Sequence, residues 1–181
     1  MAIGLRSEGA PRHRITLIDG PNMSNLGRRN ARVYGSIDSL GALHEYVGSV
    51  ADSLGVSLET FSSNYEGAIL EFIHESADAT DGYLINPAGL TSSGFAVPHA
   101  LIESHRPSIE MHFSNPEAAP DSQRGAPVGP LKSWFSSYVT GKMTGLRQYC
   151  YIGALVALTL ALDDEEFLGA EADTERDARA D

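Results

Sequence analysis

Short apolar runs alternate with segments of helical periodicity along this chain, and this alternation restricts its fold more than any other feature. Five runs have the length and composition of buried strands, at residues 14–19, 56–61, 82–86, 108–113 and 144–148. Between them, apolar residues recur at helical spacing at 38–55, 64–77, 94–104 and 151–162, with Asn64 as a predicted helix cap. Strands that alternate with helices form parallel sheets, because each helix returns the chain to the same end of the sheet. The pattern predicts an α/β fold with a five-stranded parallel sheet and helices on both faces.

The strand pattern also predicts where a ligand binds. We expect a flavodoxin-like three-layer sandwich, and in such sheets ligands bind at the carboxyl ends of the strands, near the point where the strand order reverses. Polar and charged residues follow the first four predicted strands at that rim. They are Asn22, Arg28, Arg29 and Tyr34 after the first strand, Ser63, Asn64 and Glu66 after the second, Asn86, Thr91, Ser92 and Ser93 after the third, and Glu110, His112, Ser114 and Asn115 at the end of the fourth. Their joint placement predicts one functional site.

Charge and composition divide the chain into three predicted parts. The 181 residues suffice for one domain with its own core. The formal charge is −11, and residues 163–181 carry −7 of it, so this segment is predicted to be an acidic disordered tail. Residues 1–13 contain arginines but no apolar run, which favours a flexible N-terminal extension over a secretory signal. Residues 14–162 are the predicted folded domain.

The same composition argues against several classes of partner. Outside the predicted tail the chain still carries −4, and no basic face is available to contact the phosphates of a nucleic acid. No segment has the length and hydropathy of a membrane span. A single cysteine, Cys150, cannot form an intramolecular disulfide, so we expect a cytoplasmic protein. The histidines lack metal-ligand spacing, and no metal site is predicted.

Two pairs of residues at the rim have the chemistry of a base and an acid. A tyrosine titrates at about pH 10 unless a cation stabilises its phenolate, and an arginine is a cation that keeps its proton. Tyr34 with Arg29 is therefore a candidate general base. Glu110 and His112 are two apart in a strand and so share a face, where the carboxylate would orient the imidazole as a proton donor. The alternatives are a solvated arginine-rich loop and a structural histidine.

Several motifs at these strand ends resemble the type II 3-dehydroquinate dehydratase family, in order and in spacing. The resemblance rests on GPN at 20–22, LG at 26–27, an arginine at 29, YG at 34–35, SNYEG at 63–67, DGYLINPAG at 81–89 and IEMHFSN at 109–115. It implies a hydro-lyase that abstracts a proton alpha to a ketone and eliminates water through an enolate, as in the conversion of 3-dehydroquinate to 3-dehydroshikimate. Residues 14–162 would then be a catalytic domain of this type.

The resemblance assigns catalytic roles to residues at the rim. Tyr34, held as a phenolate by Arg29, would be the base. Asn22 would help to hold an ordered water that stabilises the enolate. His112, oriented by Glu110, would protonate the departing beta hydroxyl. The loop that carries the base would be a lid that closes over the substrate.

The resemblance also implies how the substrate is held and what the enzyme needs. Asn86 and the backbone amides of Phe113 and Ser114 would bind the carboxylate of a small-molecule substrate that also carries a ketone. The family needs neither a metal nor a cofactor. It assembles as a dodecamer built from trimers, so we expect a homo-oligomer.

This chain departs from the family where the family contacts the hydroxyl groups of the substrate ring. Ser92 stands where the family has a histidine, and Tyr65 stands at a second position where histidine is usual. Trp134 lies near the position of an arginine that the family carries in its second lid, and Lys132 is two residues away. Pro98 and His99 replace an Arg-Asp pair that reaches a neighbouring subunit in the family. The second lid, residues 116–137, is also longer than usual. Ser92, Lys132 and Trp134 are accordingly candidate substrate-binding residues.

These departures leave the substrate open. Each lost hydrogen-bond partner of a ring hydroxyl costs about 1–3 kcal/mol in discrimination. One alternative is a paralogue in specialised metabolism that dehydrates or cyclises a different, less hydroxylated carbonyl compound. A second alternative is a non-catalytic binding member of the family.

Overall fold

All five strands of the sheet are parallel in this computed structural model, which describes residues 4–119 and 131–168. The strands are β1 (Arg14–Asp19), β2 (Ser57–Ser62), β3 (Gly82–Asn86), β4 (Ser108–His112) and β5 (Gly141–Thr144). Their order across the sheet is β2-β1-β3-β4-β5, which is the flavodoxin-like order. The predicted fold class is confirmed, and the strand order reverses between β1 and β3.

Helices cover both faces of this sheet. Those in the described ranges are α1 (Ala31–Tyr34), α2 (Leu40–Leu54), α3 (Glu66–Ser76), α4 (Ala96–Glu103) and α5 (Tyr149–Asp163). Helices α2 and α5 pack on one face, and α3 and α4 pack on the other. None of these helices is long and apolar enough to cross a membrane. Periodicity predicted all of them except α1, whose 4 residues are too few to show a period.

Alternate side chains of the strands form two separate apolar cores. Leu17 of β1 points to the face covered by α2 and α5, where it lies with Leu84 and Met111 of the neighbouring strands. Ile18 points the other way and lies with Ile85 under α3 and α4. Because successive side chains of a strand point to opposite faces, a strand covered on both sides must be apolar almost throughout. This requirement explains the nearly unbroken apolar runs of β1 and β3.

The fifth strand lies earlier in the chain than predicted. It ends at Thr144, so the predicted strand at 144–148 was wrong in position. Arg147 has a left-handed φ of +53°, outside the strand region, and Gln148 directly precedes the first turn of α5. Leu146 is 58 % exposed rather than buried in a sheet. The chain therefore leaves the sheet at Thr144 and turns directly into α5.

Asn64 does not cap α3 as predicted. The residue before the helix is Tyr65, which makes no capping hydrogen bond with its side chain. Asn64 Oδ1 instead accepts from the backbone amide of Asn22 at 2.9 Å, and its Nδ2 donates to Ser24 Oγ at 3.3 Å. The side chain therefore joins the loops that follow β1 and β2. A contact between segments distant in sequence outweighs the local cap.

Residues on either side of the predicted domain contact each other. The guanidinium of Arg6 donates to both carboxylate oxygens of Asp163 at 2.6 Å, and His13 Nε2 lies 2.7 Å from Asp163 Oδ1. Leu168 is buried in the core under α2 and α5. The predicted domain boundaries stay predictions, and these contacts favour a folded unit that extends past both of them. The remainder of the predicted tail lies outside the described residues.

Asp163 is expected to stabilise the fold in a pH-dependent way. Hydrogen bonds from Arg6 lower the pKa of this carboxyl below its ordinary value, against a smaller opposing effect of burial. A carboxyl whose pKa is lower in the folded state contributes stability above its unfolded pKa of about 3.9 and loses it as the pH falls through the folded pKa. Asp163→Asn should therefore lower the free energy of unfolding at about pH 7 and approach the wild type at about pH 3. Urea unfolding at both pH values measures this, and an equal deficit at both would contradict it.

Candidate active site

A cavity of about 350 Å³ opens at the carboxyl ends of β1, β3 and β4. Its lining consists of Asn22, Met23, Arg29, Tyr34, Asn86, Ala88, Gly89, Thr91, Ser92, His112, Phe113, Ser114, Pro116 and Leu131. The cavity has the size of a small-molecule site, and it lies where the strand order reverses. Of the predicted catalytic and substrate-binding residues, all except Glu110, Lys132 and Trp134 are in this lining. Of the other residues predicted at the rim, Thr91 is in the lining, whereas it does not include Arg28, Ser63, Asn64, Glu66, Ser93 or Asn115.

The loop after β1 brings Arg29 and Tyr34 together. It passes through two short 3-10 turns within Met23–Arg28 and then forms α1, where the side chain of Asn30 caps the first turn. Arg29 Nη2 donates a hydrogen bond to the phenol oxygen of Tyr34. The guanidinium carbon also lies 3.6 Å from the centre of the Tyr34 ring. The first predicted pair is therefore formed at the cavity wall.

The Arg29 guanidinium is half-buried beside this phenol. Burial lowers the pKa of Arg29, and the nearby oxygens of Tyr34 and Tyr151 oppose that shift. Arginine still keeps its proton at neutral pH, because its unperturbed pKa is so high. A cation that donates to a phenol oxygen stabilises negative charge on that oxygen. The arrangement therefore places a cation at the oxygen that would carry negative charge if Tyr34 acts as a base.

Glu110 and His112 of β4 form the second predicted pair. His112 Nε2 lies 2.6 Å from Glu110 Oε1, and Glu110 is buried behind the cavity wall. Burial acts to raise the pKa of Glu110, but hydrogen bonds with His112, Ser133 and Ser136 outweigh it and hold the pKa below its ordinary value. The charged carboxylate therefore fixes the imidazole ring. Since Nε2 is engaged, Nδ1 is the ring nitrogen that can act on a ligand.

A second buried carboxylate, which the sequence analysis missed, lies under the cavity floor. Asp19 accepts hydrogen bonds from the Tyr151 hydroxyl at 2.5 Å and from Asn86 Nδ2 at 3.2 Å, and His44 Nε2 lies 2.9 Å from its other oxygen. Asn86 Nδ2 also donates to the Tyr151 oxygen at 2.7 Å, while Asn86 Oδ1 accepts from the Ala88 amide. The Asn86 amide is thus held in one orientation. In the sequence, the signal for this network was an acidic residue at the end of an apolar run.

Asn22 reaches the cavity through an unusual backbone conformation. Its φ is +74°, in the left-handed region that asparagine tolerates better than most residues. The turn requires glycine at position 20, because a Cβ on Gly20 would lie 2.3 Å from the carbonyl oxygen of Pro87. The Gly20 amide donates to the Asn86 carbonyl at 2.8 Å, so the chains that leave β1 and β3 stay joined up to the cavity. This close approach explains the glycine of the GPN motif.

Trp134 and Lys132 lie away from the cavity, in contrast to Ser92. Trp134 Nε1 donates to the Ser92 carbonyl at 2.9 Å, and its ring centre lies 4.7 Å from that of Phe95. The tryptophan therefore attaches the second lid to the turn after β3 instead of presenting a polar group to a ligand. Lys132 is exposed. Neither residue occupies the ligand-facing position that the resemblance implied.

The described part of the second lid contributes apolar side chains to the cavity. Pro116 and Leu131 are in the lining, and the Leu131 amide donates to the Pro116 carbonyl at 2.6 Å. The two described stretches of this lid, 116–119 and 131–137, therefore meet at the cavity, and residues 120–130 lie outside the described residues. Within the described ranges, no group of three His, Cys, Asp or Glu residues is placed to hold a metal ion.

The family of the chain follows from comparison with known proteins. The model of the family described as dehydroquinase class II matches residues 13–159, a segment that contains all the residues of the cavity wall. The chain belongs to the class II dehydroquinase family. The motifs from GPN to IEMHFSN were therefore a true signal of common ancestry.

Relatives of this dehydroquinase match it along most of their length. A 3-dehydroquinate dehydratase from Halothermothrix orenii is 36 % identical over 146 residues, which are 81 % of this chain and 93 % of the relative. A catabolic 3-dehydroquinase from Emericella nidulans is 39 % identical over 137 residues, which are 76 % of this chain and 84 % of the relative. The crystal structure of a type II dehydroquinase from Butyrivibrio crossotus has a TM-score of 0.72 at 30 % identity, and the match covers 81 % of this chain and 97 % of that one.

Arg147 adds a contact to this dehydroquinase that the sequence analysis also missed. Its Nη2 donates to the carbonyl of Arg32 in α1 at 2.7 Å. Its side chain also approaches Gly35, where φ is +83° and a Cβ would lie 3.3 Å from Arg147 Cδ. The contact fixes α1, and with it Tyr34, to the turn before α5. No local sequence pattern predicts this contact, because the two residues are 115 positions apart in the chain.

Removal of the Asp19 carboxylate is expected to destabilise the protein strongly. Asp19→Ala leaves the buried donors of Tyr151 and Asn86 without their acceptor, at a cost of about 1–3 kcal/mol each in the free energy of unfolding. Asp19→Asn keeps the shape and one acceptor oxygen, so its loss should be smaller. Urea unfolding of both variants measures the difference. Equal losses would contradict this prediction, because they would show that the amide oxygen of the Asp19→Asn variant does not serve these donors.

Proposed function

We propose that this dehydroquinase is a 3-dehydroquinate dehydratase, a hydro-lyase that converts 3-dehydroquinate to 3-dehydroshikimate and water. One observation carries the proposal: the Arg29–Tyr34 pair and the Glu110–His112 pair, from separate strand ends, meet at one cavity. The elimination of water from a beta-hydroxy ketone requires a base and an acid at the same site. The family match and the names of the relatives support the choice of substrate.

Tyr34 is the proposed base. Its phenolate, stabilised by Arg29, takes the proton alpha to the ketone, and the electron pair of that bond moves onto the carbonyl oxygen to form an enolate. Asn22 lines the same cavity and is the proposed anchor of a water that donates to the enolate oxygen. Donors fixed in advance at a developing negative charge lower the barrier, because they need no reorganisation during the reaction.

His112 is the proposed acid. As the enolate collapses to a double bond, the bond between the beta carbon and its hydroxyl oxygen breaks. His112 donates a proton from Nδ1 to that oxygen, which leaves as water, and the ring keeps its Nε2 proton toward Glu110. In this proposal the ring begins the step as an imidazolium, and the carboxylate of Glu110 at its Nε2 would stabilise that positive charge.

The charge of the cavity suits an anionic substrate. None of the described residues in its lining is an aspartate or a glutamate, whereas Arg29 contributes a permanent positive charge. We place the substrate carboxylate at the backbone amides of Phe113 and Ser114, at the end of β4. Asn86 lines the cavity nearby, but its amide nitrogen already donates to buried acceptors. Its proposed part is to shape this end of the site more than to supply the main donor.

A less hydroxylated keto acid is the second candidate substrate. Ser92 lines the cavity where the family has a histidine, and Pro116 and Leu131 add apolar walls. Trp134, near the slot of the lid arginine, binds the backbone instead of facing a ligand. Loss of several partners for ring hydroxyls disfavours a polyhydroxylated ring by about 1–3 kcal/mol each. The base and the acid would be the same, and only the specificity would differ.

Assembly into a homo-oligomer, a dodecamer built from trimers, is also part of this proposal. Exposed aromatic side chains support a surface that further subunits cover, since Tyr65, Phe95 and Tyr149 are 77 %, 56 % and 59 % exposed. Sedimentation of the purified protein tests this, and a monomer at micromolar concentration would contradict it. The single, unpaired Cys150 supports a reducing, cytoplasmic setting.

Tyr34→Phe should lower kcat with 3-dehydroquinate by about 10²–10⁴-fold, because it removes the general base. The KM should change little, since the ring and its contact with Arg29 remain. The ultraviolet absorbance of the conjugated enone product measures turnover, and Tyr46→Phe, on an exposed position of α2, is the matched control. Unchanged turnover in Tyr34→Phe would exclude the base role. A folded wild type without turnover would favour the second candidate substrate.

His112→Ala should slow the loss of water more than the exchange of the alpha proton. The reason is that the acid acts after the base has formed the enolate. Proton NMR of the substrate in deuterated water follows exchange and elimination in one sample. His74→Ala, at an exposed position of α3, serves as the control. If both processes slow equally, His112 is not the acid.

A further inference from the structure

A chain of hydrogen bonds leads from His112 on the cavity wall to a lysine on the next strand. One oxygen of Glu110 holds His112 Nε2 at 2.6 Å, and the other accepts from Ser136 Oγ at 2.7 Å. Lys142 Nζ donates to the same Ser136 Oγ at 2.9 Å. The serine hydroxyl therefore receives from the ammonium and donates to the carboxylate, which fixes the direction of its single proton.

The pairing of β4 with β5 builds this chain into the sheet. Glu110 and Lys142 are partners in the register of the two parallel strands, so their side chains lie on the same face. Ser136 comes from the short 3-10 turn Phe135–Ser137. The aromatic ring of Phe135 in that turn is fully buried in the core under α3 and α4, which holds the serine in place.

Lys142 also holds the start of the second lid. Its Nζ donates to Glu117 Oε1 at 2.5 Å, and Glu117 directly follows Pro116 in the cavity wall. The Lys142 side chain is only 21 % exposed, so most of it is enclosed by these neighbours. One ammonium group therefore stands between the carboxylate that orients the acid and the carboxylate at the base of the lid.

We propose that Lys142 is a positioning residue for the acid step, which it supports through Ser136 and Glu110. The inference rests on the proposed function of His112. Lys142 is not in the cavity lining, so it acts through other residues rather than on the substrate. The chain orients the imidazole and does not conduct its proton, because Nε2 keeps its proton while Nδ1 reacts.

The energetic reason is that Glu110 is buried with a full charge. Ser133 also donates to this carboxylate, so loss of the Ser136 hydroxyl would leave Glu110 with fewer donors instead of with none. A buried carboxylate with fewer donors is less firmly held, which would allow Glu110 to reorient and the His112 ring to follow. Loss of the Lys142 ammonium would leave Glu110 and Glu117 without the cation between them. The charged and titratable groups that meet at this point are thus His112, Glu110, Lys142 and Glu117.

Lys142→Met is expected to lower kcat with 3-dehydroquinate by about tenfold, the loss typical of one charge-assisted hydrogen bond. The loss of water should slow more than alpha-proton exchange, because the Arg29–Tyr34 pair is not part of the chain. Lys142→Arg, which keeps the cation, should recover most of the rate. Equal slowing of both processes, or no recovery with arginine, would overturn the positioning role.

Substitutions at the other links test the support of the acid. Ser136→Ala should reproduce the kcat loss of Lys142→Met, and Ser136→Thr, which keeps the hydroxyl, should restore activity. The double variant Ser136→Ala/Lys142→Met should be little worse than either single variant, since both break one chain. Ser137→Ala, the exposed neighbouring serine, is the matched control, and a defect equal to that of Ser136→Ala would overturn the assignment.

A measurement without substrate separates this inference from the proposed function. Nitrogen NMR spectra of histidine-labelled protein report the environment of His112 Nε2, whose signal is identified by its absence in His112→Ala. The signal should shift in Ser136→Ala and in Lys142→Met but not in Ser137→Ala. These shifts in a protein that does not turn over 3-dehydroquinate would support the chain and overturn only the substrate. An unshifted signal in both variants would overturn the proposed chain of hydrogen bonds from Lys142 to His112.

Discussion

The buried carboxylate of Asp19 is the interaction on which the rest of the site depends. It stands at the end of β1 and accepts from Asn86 of β3 and Tyr151 of α5, with His44 of α2 beside it. Burial, together with the charge of Asp19, raises the pKa of Tyr151 well above its ordinary value, so the tyrosine remains a hydrogen-bond donor. A buried carboxylate without hydrogen-bond donors is costly. This cost favours the arrangement of β1, β3, α2 and α5 that brings those donors to Asp19. That arrangement is the floor of the cavity.

Two buried carboxylates each support a different part of the site. Asp19 holds the floor, and Glu110 holds the proposed acid from behind. Both lie on central strands, where backbone pairing on each side leaves little freedom. The proposed base lies on a loop instead, and Arg147 and α1 restrict where that loop can go. Groups on rigid elements keep their geometry better than groups on loops, so the acid side of the site has the firmer support.

Sequence reasoning succeeded where the physical signal was local and repeated. Apolar runs and helical periods led to the five parallel strands and the helices on both faces. It failed where a distant contact replaced a local preference. Asn64 has the side chain of a helix cap but binds the backbone of Asn22. For Asn64, a hydrogen bond to a residue 42 positions away outweighs the local tendency. The family resemblance implied a ligand contact for Trp134, whose indole nitrogen instead donates to the Ser92 carbonyl.

The sequence by itself determined the fold class and the edge of the sheet at which the site lies. It also determined the two pairs Arg29–Tyr34 and Glu110–His112, because the two residues of each pair are close in the chain and their geometry follows from one loop or one strand. Only the tertiary structure decided what stands behind those pairs. The donors of Asp19 come from three elements, and the chain from Lys142 through Ser136 to Glu110 joins a strand, a turn and another strand. Such networks leave no periodicity or motif in the sequence, because the groups that hydrogen-bond a buried charge come from segments that only the fold brings together.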